Sequence, residues 1–136
     1  MTENDAPVGS RSASEFERGV AGLRAQRPIL GCPLNNLAQE MNPLDDEFRR
    51  RTTAVFDMWR TSFQTALERG KTQGLVRPEI DAADTAHVLV AQIEGTLSLA
   101  RNSQDADTLT VGARGLRRYL DSLRAPDLLS PGLDEH

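Results

Sequence analysis

Apolar residues between positions 82 and 100 occupy two faces of one helix rather than one. At about 100° per residue, Ala82, Ala86, Leu89, Ile93, Leu97 and Ala100 gather on one side, and Val88, Ala91, Gly95 and Leu99 gather nearly opposite. His87, Glu94, Ser98 and Arg101 are left on a narrow polar strip. A surface helix needs only one apolar stripe. A second stripe must also be covered, and the simplest cover is a second copy of the chain.

The remaining periodic segments also read as helices. Phe16, Val20 and Leu23 predict a short helix from Glu15 to about Arg27, ending before Pro28. Leu34, Leu37, Ala38 and Met41 predict another, ending near Asn42. The next and longest is expected to start with Asn42 as its cap and Pro43 in its first turn. Its acids Asp45, Asp46 and Glu47 each face an arginine four residues on, at Arg49, Arg50 and Arg51. From Phe48 an apolar stripe runs through Thr52, Val55, Phe56, Trp59, Phe63, Ala66 and Leu67, and Gly74 is expected to end the helix. Asp81 should cap the two-faced helix, and Asn102 to Asp105 should break it. A last helix follows from Ala106 to Arg124, with Gly112 and Gly115 where another helix can approach. Alternation with β-branched residues never persists, so no strand is predicted. The expected fold is all-α, a bundle of about five helices. Residues 1–14 read as a disordered tail, 15–124 as one domain and 125–136 as a loose C-terminal tail.

A chain of 136 residues can bury roughly two-thirds of its unfolded surface, enough for one core without disulfides or metal. The net charge of −4 and pI near 5.2 argue against a general nucleic-acid or membrane-surface binder. One cysteine, Cys32, cannot form an internal disulfide, which suits a reducing cytoplasm. No apolar run approaches the roughly 18 residues of a membrane span.

Catalytic chemistry is not suggested, and an enzyme is not expected. With only His87 and His136, paired-histidine metal ligation is unavailable, and no metal or cofactor is expected. Cys32 has no basic partner near in sequence and reads as a small hydrophobe. The arginine runs are interleaved with acids and read as solvated faces. Four of the six aromatic residues, Phe48, Phe56, Trp59 and Phe63, lie along one helix side. They are either core, or, for Trp59 and Phe63, the border of an apolar cavity where Gln92, Thr96 and Asn35 supply polar contacts.

Four segments carry a family resemblance: Gly31-Cys32-Pro33-Leu34-Asn35-Asn36-Leu37-Ala38-Gln39-Glu40, the helix around Val55–Arg60, the connector Gly74–Asp81, and Ile93–Arg101. Together, over residues 15 to 124, they resemble the C-terminal regulatory domain of TetR/AcrR-family transcriptional regulators. The resemblance implies a small, apolar effector in a cavity near Cys32, Asn35, Phe56, Trp59, Phe63, Gln92, Ile93, Thr96 and Leu97. It implies a homodimer in which the last two helices form a four-helix bundle, with Val88, Ala91, Gly95, Leu99, Gly112, Leu116 and Tyr119 at the interface. Family members begin with a helix-turn-helix head, and the match here starts at Glu15, so no DNA contact is expected from these residues. The main expectation is therefore a ligand-sensing, dimerising module. The alternative is a stand-alone interaction protein that heterodimerises with a full-length regulator and blocks its DNA binding.

Overall fold

A computed structural model describes residues 8–126, with the side chains of residues 8–14 and Phe16 excepted. It contains α1 (Val8–Ala25), α2 (Pro33–Met41), α3 (Asp46–Thr72), α4 (Ala82–Ser103) and α5 (Ala106–Ser122). The chain is all-α. Among the described residues, strand-like pairing is confined to one antiparallel bridge between Val76 and Arg124. α1 begins inside the segment expected to be a tail. The expectations for residues 1–7 and 127–136 lie outside the described residues.

Local chemistry sets the helix ends. The start of α3 corrects the sequence reading: its cap is Asp45, whose Oδ1 accepts from the backbone N–H of Glu47 (2.9 Å) and Phe48 (3.1 Å). Asn42 and Pro43 instead lie in the turn between α2 and α3, where the Thr52 hydroxyl donates to Asn42 Oδ1 at 3.2 Å. With Asp45 committed to the cap, the arginine pairs shift. Arg49 meets Asp46 at 3.2 Å, and Glu47 takes both Arg50 and Arg51. Asp81 and Asp105 cap α4 and α5 through the N–H groups of Asp84 and Asp107.

α3 ends as its glycine predicts. Gly74 takes φ +74°, its N–H bonds to Lys71 O (3.1 Å), and the next N–H, from Leu75, reaches Gly70 O (2.9 Å). α4 ends within the expected break, at Ser103, with Gln104 as its C-cap in the left-handed region (φ 53°).

α4 is the central element, packed against α3 and α5; α2 lies on α3 and α1 on α5. The main core joins Leu67, Ala82, Leu89, Leu116 and Leu123, with Phe63, Ile80, Ile93 and Tyr119 against it. A second cluster joins Ile29, Ala100 and Leu109 with Leu97. Two long-range ties close the fold. Gln104 exchanges two 2.8 Å hydrogen bonds with the backbone N–H and C=O of Ile29. The connector after α3 pairs with the chain beyond α5, through Arg77 N–H to Leu123 O and Ala125 N–H to Leu75 O, both 3.0 Å.

Candidate functional site

The two faces of α4 have different surroundings. Ala82, Ala86, Leu89 and Ala100 are buried in the chain's own core, while Val88 is 46% and Leu99 63% exposed, and Ala91 and Gly95 are open to solvent between them. α5 extends the open surface with Val111, 61% exposed. Gly115, four residues on and therefore on the same side of α5, lies beside Gln92 of α4, 3.6 Å from where its Cβ would stand.

The α5 residues expected at a dimer interface are placed otherwise. Leu116 is buried in the core, Tyr119 packs against that core, and Gly112 faces Thr96 of the same chain. One position along a helix is about 100° of rotation. The outward row therefore begins at Val111, beside the expected Gly112.

The expected ligand residues divide between two cavities on the two flanks of α4. The larger, about 450 Å³, lies between the turn before α2, α3 and α4. Cys32, Trp59, Phe63, Ile93 and Leu97 line it together with Gly31, Pro33, Ser62, Val90 and Glu94. The smaller, about 150 Å³, lies between α1, α4 and α5 and takes Gln92 and Thr96, sharing Ile93 and Leu97 with the first. Ile93 and Leu97 thus form the partition between them. Asn35 borders neither cavity; its amide donates to Ser98 Oγ at 3.3 Å, which closes α2 onto the polar strip of α4. Phe56 also borders neither, and instead holds Trp59 edge-to-face, with ring centroids 5.3 Å apart at 90°.

The wall of the larger cavity follows from backbone geometry. Gly31 turns with φ +72° against α4, where a Cβ would lie 3.3 Å from both Leu97 O and Arg101 Cβ. Cys32 then begins α2, its C=O accepting from Asn36 N–H (3.0 Å), with Pro33 in the first turn. Trp59, Ser62 and Phe63 face it from successive turns of α3. Trp59 remains 36% exposed and borders the cavity rather than filling the core.

Glu94 is the residue the pattern reading missed as part of this wall. Periodicity puts it on the polar strip with His87, Ser98 and Arg101, yet it is half-buried and faces the cavity. Burial pushes its carboxyl above the ordinary carboxylate value. Its Oε2 is buried without a hydrogen-bond partner. Burial, reinforced by the Glu94 charge, also raises the Cys32 thiol, so the sulfur stays protonated and is a poor nucleophile. A sequence signal for Glu94 existed. Unlike Asp46 and Glu47, it has no basic residue three or four positions away, only Val90, Ala91, Leu97 and Ser98. Among the described residues, no group of three or more potential metal ligands comes together.

With this geometry in view, the comparisons with known proteins agree on one family. The chain matches the family described as "Tetracyclin repressor-like, C-terminal domain" over residues 15–116. It is 35% identical over 110 residues to an uncharacterized HTH-type transcriptional regulator in the lacX 3' region of Lactococcus lactis subsp. lactis, covering 80% of this chain and 53% of that protein. It is 28% identical over 80 residues to the HTH-type transcriptional repressor DhaR of Mycobacterium sp. (strain GP1), covering 57% of this chain and 40% of that one. The chain thus spans about half or less of the curated relatives it matches. Among solved structures it resembles a TetR transcriptional regulator from Chloroflexus aurantiacus J-10-FL, with TM-score 0.65 and 29% identity over 84% of this chain and 69% of that one. The TetR-family regulator from Cytophaga hutchinsonii shares the fold, with TM-score 0.69 at 17% identity over 85% of this chain and 67% of the other.

The chain therefore belongs to the TetR family of transcriptional regulators, as its C-terminal, all-helical domain. None of its described helices is long and apolar enough to cross a membrane.

Proposed function

We propose that this domain senses a small, largely apolar effector in the cavity beside Trp59 and forms a homodimer through α4 and α5, in the cytoplasm and without enzymatic turnover. The observation that carries the reading is the position of α4. With Ile93, Glu94 and Leu97 it walls the larger cavity, and with Val88, Ala91, Gly95 and Leu99 it presents an uncovered apolar face. A ligand that shifts α4 relative to α3 therefore acts on the helix that carries the interface, and differential affinity for two α4 positions is what a sensor requires. Through such a shift the domain would convey effector binding to the transcriptional control named for its relatives. Val111 and Gly115 extend the same face onto α5, so two copies meeting there would bring four helices together.

Gly95 supplies the test. Nothing lies within 4 Å of a Cβ built at this position, so within one chain Gly95→Ala should stabilise α4 by about 0.5–1 kcal/mol. Between two copies the added methyl would hold the helices apart. The expected result is a more stable chain that self-associates more weakly, measured by thermal unfolding and by light scattering across a dilution series. Unchanged or tighter self-association contradicts the proposed interface.

A further inference from the structure

We propose that the larger cavity selects an apolar ligand bearing an ammonium group, held by the Glu94 carboxylate beside the Trp59 ring; this rests on the reading of that cavity as the effector site. The lining is apolar except for Ser62, Cys32 and Glu94, and Glu94 is the acidic side chain among them. Its Oε2 is buried with no hydrogen-bond partner, and none of the ion pairs among the described residues includes Glu94. Arg49, Arg50 and Arg51 are spent on Asp46 and Glu47 at the far start of α3. A carboxylate in an apolar wall without a cation is a half-made interaction, which an incoming N–H donor with positive charge completes. Burial raises the Glu94 carboxyl and outweighs the hydrogen bond from the neighbouring Cys32 thiol, a neutral donor that leaves the charge without a counter-ion.

The aromatic side of the cavity fits the same ligand. Trp59 is fixed edge-to-face by Phe56 and still has 36% of its surface open, and indole is the side chain that attracts a cation most strongly. One carboxylate and one protonated thiol are too few donors to enclose a metal ion, whereas an organic cation needs only one counter-charge and an apolar surround. The smaller cavity has no ionisable side chain in its lining, only Gln92 and Thr96 among apolar groups. The two cavities are thus chemically distinct.

Three molecules with one skeleton test the assignment: phenylbutylamine, phenylbutanol and phenylbutyrate, titrated calorimetrically into the full chain near neutral pH. Fluorescence of Trp59, the single tryptophan, reports occupancy of this cavity. The amine should bind about tenfold or more tighter than the alcohol, the size of one hydrogen bond to a charged group, and the carboxylate should bind more weakly than either. Glu94→Gln should bring the amine down to the level of the alcohol and leave the alcohol unchanged. An amine preference that survives Glu94→Gln overturns the inference. Equal binding of all three, with a Trp59 response, overturns the charge selection and leaves the cavity reading standing. Absence of binding by all three overturns both.

Discussion

Thr96 of α4 fills the space that any side chain at residue 112 of α5 would need: a Cβ built on Gly112 falls on the Thr96 hydroxyl and methyl. The two helices meet at this point because residue 112 has no side chain. Gly112→Ala should therefore destabilise the fold by about 1–3 kcal/mol, the usual cost of overpacking. Thr96→Ala deletes the two atoms in closest conflict and should offset part of that loss. Urea unfolding of both single variants and the double should show this coupling; additive losses would argue against the close approach.

Gln104 makes a comparable tie at the other end of α4. Its amide holds both backbone groups of Ile29 while its own backbone is left-handed. Gln104→Ala loses these two hydrogen bonds and a third to Arg101 O, and should cost about 1–3 kcal/mol. Gln104→Gly loses the same bonds but relieves the positive φ, so it should cost less than Gln104→Ala. Chemical denaturation of the two variants checks the order, and the reverse order contradicts the assigned geometry.

Glu94 makes stability depend on pH in a direction opposite to that of most acidic groups. Its folded-state carboxyl lies above the ordinary value of 4.5. Between the two values the folded chain holds more protons than the unfolded chain, so this group's contribution to stability falls as pH rises through that window. Glu94→Gln cannot lose a proton. The stability difference between variant and wild type should be smallest in acid and should grow in favour of the variant toward neutral pH. Denaturant midpoints across that range measure it, and a variant less stable than wild type at neutral pH contradicts the account.

Trp59 borders a cavity and is part-exposed, so its removal should cost less than that of a fully buried ring. Trp59→Ala should lower stability by about 1–3 kcal/mol, below the 3–5 kcal/mol typical of a buried tryptophan. The same variant should abolish binding of the amine probe. Thermal unfolding read by circular dichroism gives the first, and calorimetry the second.

The residues show how far pattern reaches. Periodicity located all five helices, because each must bury an apolar stripe, and it separated the two faces of α4, because burial and exposure follow rotation about one axis. Asn42 and Asp45 are both good cap residues for α3, and only the path of the α2–α3 turn chooses Asp45. Cys32 and Trp59 line one cavity, whereas Gln92 and Thr96 lie across the partition of Ile93 and Leu97. The order of packing around α4 decides that, and a one-dimensional pattern does not contain it. Rotation about α4 puts Glu94 on the polar strip, but it does not reveal that the turn before α2, with Gly31, Cys32 and Pro33, lines the same cavity as Glu94. The shift from Gly112 to Val111 on α5 has a related origin, since a stripe reveals its own width but not which neighbour faces its edge.

The central claim is that the open face of α4 is an interface between copies. Sedimentation equilibrium of the full chain at micromolar concentration tests it most directly. The expected species has twice the 14.9 kDa chain mass and is converted to a folded monomer by Leu99→Asp, which places an unpaired charge at the centre of the proposed contact. A wild-type chain that sediments as a 14.9 kDa monomer would contradict it.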